Sequence, residues 1–126
     1  MSQIDRTPFI VKDGLEKNLI ERDSSTIYVS FGSMLADNIY LRHESARLKL
    51  TKNDQSTLFK QDATFKLLFG KTKKDIVAFE AVNLPTFYLG VDQETKTALV
   101  LVQIKDPETN IELLDKRFLF KFIYEQ

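Results

Sequence analysis

The chain has 126 residues, 43% of them hydrophobic and 29% charged, as expected for one globular domain with an ordinary core. Eighteen basic residues balance eighteen acidic ones, so no net field favours a nucleic acid or an anionic membrane as partner. Cysteine is absent and histidine occurs once, which excludes disulfides and thiolate or histidine-rich metal sites. We predict neither a metal nor a cofactor.

Apolar and polar residues alternate with period two from residue 26 onward, a pattern typical of an all-β domain. Inside the stretch 64–69 the alternation places Phe65, Leu67 and Phe69 in the core. The spacing of Leu15, Leu19 and Ile20 predicts one helix, at 14–23. We predict nine strands, at 8–11, 27–31, 39–43, 47–50, 64–69, 76–82, 87–91, 97–104 and 117–124.

The pattern also repeats along the chain. The sequence of residues 27–43 resembles that of residues 76–91, and the segment that begins at Asp62 resembles the one that begins at Asp115. Residues 7–11 look like a reduced third copy. Threefold repetition of four-strand units predicts a β-trefoil-like barrel, a closed architecture without long exposed edges. The predicted domain is 1–126, with an incomplete first repeat at 1–25, a second at 26–70 and a third at 75–124.

One imidazole and one carboxylate stand out in the second repeat. His43 ends a short apolar strand, and Asp62 follows it across a strand and a polar turn. This spacing lets the two side chains share one pocket, where their hydrogen-bonding groups suit a hydroxylated ligand such as a sugar. We predict that Arg42 is a solvated strand residue. We predict that Asp54 forms a turn and that Asn83 belongs to an Asn-Leu-Pro turn.

The stretch 38–90 resembles the arabinofuranosidase-B-type β-trefoil domain, an arabinose-binding, family 42 carbohydrate-binding module. The motifs that carry the resemblance are Tyr-Leu-Arg-His at 40–43, Leu-Lys-Leu at 48–50, Asn-Asp at 53–54, Leu-Phe at 58–59, Gln-Asp-Ala-Thr-Phe at 61–65, the segment 79–85 that ends in Asn-Leu-Pro, and Phe-Tyr-Leu at 87–89.

The resemblance implies that His43 and Asp62 hold one arabinofuranose. Tyr40 or Tyr88 would supply an apolar face to the ring carbons, and Asp54 completes the set of candidate ligand-binding residues. In the next repeat Gly90 and Val91 stand where the family has Arg-His, although Asp115 matches the carboxylate. At most one sugar site is therefore expected.

Two functions stay open at this point. One is a non-catalytic module that binds a carbohydrate or another small polar ligand. The other is an intracellular interaction or scaffold protein, acting through its loops, a homo-oligomer interface or a protein partner, in which His43 and Asp62 are merely structural. No nucleophile elbow or glycine-rich phosphate loop is present, so we predict no catalytic residues.

The N-terminal sequence has no basic segment followed by an apolar run, and no stretch approaches the ~20 apolar residues of a membrane span. We therefore expect a soluble, cytoplasmic protein, or a secreted one if a leader has been removed.

Overall fold

Ten β-strands and one short helix make up the described part of the computed structural model, which covers residues 2–4, 9–17, 26–73, 75–95, 98–105 and 110–124. The helix, α1, is Thr57–Asp62, and two 3₁₀ turns lie at Ile111–Leu113 and Lys116–Phe118. No helix among these residues is long and apolar enough to span a membrane. The strands are β1 Ser2–Ile4, β2 Phe9–Asp13, β3 Ile27–Ser33, β4 Ile39–Glu44, β5 Arg47–Lys52, β6 Phe65–Phe69, β7 Ile76–Ala81, β8 Phe87–Val91, β9 Leu99–Gln103 and β10 Phe120–Tyr124.

Six strands pair side by side in a ring, all of them antiparallel. The order around the ring is β1, β2, β3, β6, β7 and β10, and β10 returns to β1 through the pairs Ser2–Tyr124 to Ile4–Phe122. A ring leaves these strands without a free edge. The chain's own N-terminal strands close it, so the barrel needs no second chain for completion.

Two hairpins, β4–β5 and β8–β9, branch from the ring where β3 and β7 end, and β5 lies against β9. The trefoil-like fold predicted from the repeats is confirmed, with two hairpins among the described residues where a complete trefoil has three. The boundaries of the three predicted repeats stay a prediction.

Phenylalanines at alternating strand positions fill the barrel. The Phe31 ring lies 5.3 Å from Phe65 and 4.9 Å from Phe79, the latter edge-on at 87°, and Phe79 lies 5.6 Å from Phe120. Edge-on and tilted aromatic pairs add stability beyond the area that they bury. The core therefore fills the ring and extends into the two hairpins through Leu41, Leu89 and Leu101.

Several local predictions were wrong. Phe69 is 43% exposed, because β6 ends there at the rim of the barrel. The last strand begins at Phe120 instead of residue 117, since a 3₁₀ turn capped by Asp115 comes first. The sequence reading missed β1 and α1 altogether. Of the predicted helix 14–23, residues 18–23 lie outside the described residues.

Candidate functional site

The β4–β5 hairpin carries the first part of the site. Its two strands pair in register from Ile39–Lys52 to Glu44–Arg47, and a two-residue turn joins them. Ser45 and Ala46 in this turn both have positive φ, 52° and 61°. Tight two-residue hairpin turns require this backbone, which is ordinarily supplied by Asn and Gly. The hairpin holds Arg42 and His43 near its tip, and the His43 residue is only 5% exposed.

Helix α1 carries the second part. The Ser56 side chain caps it by accepting a hydrogen bond from Phe59 N at 3.1 Å, and Phe59 is buried beneath it. A cap and one buried aromatic hold a helix of this length, which has too few residues to be stable alone. Asp62 is its last residue and is also 5% exposed.

Asn83, in the connection between β7 and β8, joins the histidine to the aspartate. Asn83 Nδ2 donates to Asp62 Oδ1 at 2.8 Å, so Asn83 Oδ1 is the acceptor for His43 Nε2 at 2.6 Å. His43 Nε2 itself lies 3.8 Å from Asp62 Oδ1. His43 and Asp62 therefore lie in one site, as predicted, but they are linked through the side-chain amide of Asn83. The sequence predicted only a turn at Asn83.

Arg42 completes the network and corrects a second prediction. It donates from a terminal guanidinium nitrogen to Asp62 Oδ2, and its side chain is 14% exposed rather than solvated. Its guanidinium carbon lies 5.2 Å from the centre of the Phe59 ring, a cation–π arrangement. Arg42 thus compensates the charge of a buried carboxylate, and each Asp62 oxygen has one protein donor.

These side chains surround an open pocket of about 270 Å³. Arg42, His43 and Asp62 form its polar floor, while Leu58, Leu84 and Ala46 contribute apolar surface. Glu44 and Ser45 are the remaining lining residues. Three chain segments that are distant in sequence meet here: the hairpin tip, α1 and the β7–β8 connection.

Residues 2–110 match the family model of the alpha-L-arabinofuranosidase B (ABFB) domain. The chain belongs to this family. ABFB domains are of a carbohydrate-binding type, as the sequence motifs indicated. Among curated proteins, no sequence matches this chain significantly.

Two solved structures have the same fold as this ABFB domain. One is a single-residue mutant of a GH54 α-L-arabinofuranosidase soaked with 4-nitrophenyl α-L-arabinofuranoside, and the other is an arabinofuranosidase complexed with arabinofuranosyl-α-1,2-xylobiose. Each is 22% identical, with a TM-score of 0.64, and the match covers 90% of this chain. The ABFB domain spans only 22% of the length of those chains.

The other predicted ligand-binding residues are not among those that line the pocket. Tyr40 packs with its ring centre 5.5 Å from Lys12 Nζ. Tyr88 is buried in β8, where burial, with the nearby Glu80 carboxylate, raises the pKa of its hydroxyl. Asp54 is exposed and accepts from Ser56 N at 2.8 Å, and hydrogen bonding to Ser56 lowers the pKa of this carboxyl.

The motif occurs a second time in the predicted third repeat, at 75–124, and the described residues of this second copy form no equivalent network. Gly90 and Val91 replace the arginine and histidine, and a Cβ on Gly90 would lie 3.0 Å from the Phe118 ring. Asp115 is exposed and accepts from Arg117 N at 3.0 Å, as the cap of a 3₁₀ turn. The aromatic ring therefore lies against the strand where an arginine side chain would begin.

Proposed function

We propose that this domain is a non-catalytic module that binds a neutral, hydroxyl-rich ligand, an arabinofuranose-like sugar, in the pocket of His43 and Asp62. The observation that carries the proposal is the anchored carboxylate. Arg42 and Asn83 fix the two oxygens of Asp62 at the floor of a pocket that opens to solvent.

The unused hydrogen-bonding capacity of the network favours a polyol. A carboxylate has about four lone-pair sites, and Asp62 uses two of them for donors among the described residues. His43 donates from Nε2, and its Nδ1 makes no hydrogen bond to a described residue. The floor therefore offers acceptors at fixed positions, which suit the hydroxyl donors of a sugar ring.

The charges of the floor also favour a neutral ligand. Arg42 and Asp62 form an ion pair with little exposure to water, so their charges largely cancel. A ligand with its own full charge would find no unpaired counter-charge on this pair. A neutral sugar only needs hydrogen bonds, and the pair supplies them without losing its own contacts.

The ligands studied with the two similar structures support an arabinofuranose as the sugar. One was soaked with an arabinofuranoside and the other complexed with an arabinofuranosyl-xylobiose. Both are larger enzymes of which this chain spans about a fifth, so their reaction is not carried over to it. What is proposed here is recognition of the same class of sugar.

The acids that line the pocket argue against glycoside cleavage. Hydrolysis commonly uses a pair of carboxyl groups, one of them held protonated as the general acid by a raised pKa. Glu44 shares the pocket with Asp62, but a hydrogen bond and the charge of Lys49 lower the pKa of the Glu44 carboxyl. Asp62 is itself engaged by the Arg42 guanidinium. The Glu44 carboxyl is therefore not held protonated by a raised pKa, as a general acid would be.

Titration with methyl α-L-arabinofuranoside, followed by backbone amide NMR shifts, tests the proposal. One site with few hydrogen bonds should bind with a Kd in the millimolar-to-micromolar range, or ~4–8 kcal/mol. His43→Ala and Asp62→Asn should each abolish saturable shifts. Asp115→Asn is the matched control, since it alters the corresponding carboxylate of the second copy, and it should bind like the wild type. A wild-type chain without saturable shifts would contradict the proposal.

A second candidate function is protein interaction. In that case the hydrogen-bond network around Asp62 only stabilises the contact between the hairpin tip, α1 and the β7–β8 connection. The observation that favours it is the β3–β4 turn, where Leu35 is 92% exposed and Met34 beside it is also exposed. Under this hypothesis Asp62→Asn lowers the melting temperature while the wild type binds no sugar. Sedimentation would then show whether the chain associates with itself, and Leu35→Ser should weaken that association.

A further inference from the structure

A large apolar side chain next to the polar floor has no evident role in folding. Leu58, in the first turn of α1, is 61% exposed, while its neighbour Phe59 already anchors the helix to the protein beneath it. Single exposed leucines are common on protein surfaces and need no explanation by themselves. Leu58 differs because it lines the pocket.

The geometry of α1 places Leu58 and Asp62 on the same side. Residues four apart in a helix lie one above the other on one face, so a leucine one turn before the buried carboxylate projects toward the same space. Leu84 also lines the pocket, and it directly follows Asn83, which donates to Asp62 Oδ1. Ala46, in the hairpin turn, adds a methyl group to the lining.

The pocket thus has a polar floor and an apolar rim. None of the described lining residues is a phenylalanine, tyrosine or tryptophan, and the two tyrosines predicted to face the ring carbons are not among them. A furanose ring has hydroxyl groups and apolar C–H groups, so it needs a surface of each kind. Burial of the C–H groups against a side chain removes apolar area from water and favours binding.

We propose that Leu58 is the apolar contact for the sugar ring and a determinant of affinity in this domain. The inference rests on the proposed function, and it replaces the predicted tyrosine contact with an aliphatic one. Leu84 is partly buried and packs against the core, so it has a structural role as well. Leu58 has the exposed surface available for a ligand, and it is the residue to test.

The variant Leu58→Ala isolates this contact. It should weaken binding of methyl α-L-arabinofuranoside by about fivefold, because an apolar side chain that a ligand covers contributes in proportion to the area removed from water. The melting temperature should stay at the wild-type value, since the truncated side chain is mostly exposed. Selectively labelled leucine methyl groups give a second readout: those of Leu58 should shift during the titration.

Leu113→Ala is the matched control. Leu113 is 68% exposed and lies in a 3₁₀ turn of the second copy, away from the lining residues. This variant should bind the sugar like the wild type, and the Leu113 methyl groups should not shift. Equal weakening by both variants would show a general surface effect and overturn the inference.

The two proposals fail in different ways. If His43→Ala abolishes binding while Leu58→Ala binds as tightly as the wild type, the Leu58 contact is wrong and the proposed function stands. If the wild type binds no furanoside at all, both proposals are wrong. A fivefold loss in Leu58→Ala alone, with shifts at its methyl groups, supports both.

Discussion

The two hairpins, β4–β5 in the first copy of the motif and β8–β9 in the second, share a backbone conformation but differ in their side chains. Asn38 and Thr86 precede β4 and β8 with positive φ of 62° and 73°, and their carbonyls accept from Asn53 N and Ile104 N, both at 2.9 Å. The backbone of the first copy is thus repeated in the second. The arginine and histidine are not, because the second copy has Gly90 and Val91 instead.

This difference shows what the barrel needs and what it does not. The second hairpin forms with an aromatic ring packed on Gly90, and without a buried ion pair. A carboxylate that remains, at Asp115, only caps a turn. Since one copy forms without an equivalent network among the described residues, the network in the other copy supports the proposed ligand-binding role.

The largest expected effect comes from breaking the ion pair of the first copy. Arg42→Met leaves the Asp62 carboxylate with Asn83 as its remaining donor, and removing one partner of a buried pair costs about 3 kcal/mol of unfolding free energy. Urea denaturation measures this loss. The sugar affinity should fall as well, because Asp62 is no longer held in place.

Arg117→Met is the control variant: Arg117 is an arginine of the second copy that also lies beside a phenylalanine ring, although the position equivalent to Arg42 is Gly90. Arg117 lies 4.7 Å from the Phe118 ring centre and has no ion pair with a described residue, so its removal should cost less than about 1 kcal/mol. Equal losses of unfolding free energy in Arg42→Met and Arg117→Met would contradict the prediction that the buried ion pair stabilises the first copy more.

Because Asn38 and Thr86 have the same backbone conformation, their residue types can be exchanged, with a smaller expected effect on the free energy of unfolding. A β-branched residue at positive φ is strained, whereas Asn tolerates this conformation. Thr86→Asn should therefore raise the free energy of unfolding by about 1 kcal/mol, and Asn38→Thr should lower it by a similar amount. The 3.3 Å contact from Gln103 to the Thr86 hydroxyl is exposed, so its loss should matter little. Changes of the same sign in both variants would show that the two positions are not equivalent.

The sequence predicted the trefoil-like barrel and the proximity of His43 and Asp62, because each depends on local alternation or on motifs. Asn83 and Arg42 were misread because their roles arise from tertiary contacts with Asp62, at sequence separations of 21 and 20. Helix α1 was missed because six residues carry little periodic signal, and its stability comes from a cap and the burial of Phe59. The tyrosines have the right chemistry for a sugar, but Tyr40 packs beside Lys12 and Tyr88 is buried in β8, so neither is among the residues that line the pocket.

The smallest expected effect concerns an exposed contact of the second copy. Glu112 lies beside the turn that joins β6 to β7, where its Oε1 accepts from the Thr72 hydroxyl at 2.6 Å. Its Oε2 accepts from Thr72 N at 2.8 Å and from Lys73 N at 3.2 Å. The hydrogen bonds from the Thr72 hydroxyl and backbone lower the pKa of this carboxyl to about 2. The carboxylate therefore ties the segment before Asp115 to the barrel.

A lowered pKa in the folded state means that the ionised carboxylate contributes stability above the ordinary value of 4.5, and that the contribution disappears as the pH falls toward about 2. Glu112→Gln keeps the shape of the side chain and removes its charge. The wild type should melt at a higher temperature than this variant near neutral pH, and the difference should shrink progressively as the pH is lowered through this range. Leu113→Ala, next to it and uncharged, should show a melting difference that does not change with pH. A Glu112→Gln difference that stays constant over the same range would mean that the charge does not stabilise this turn.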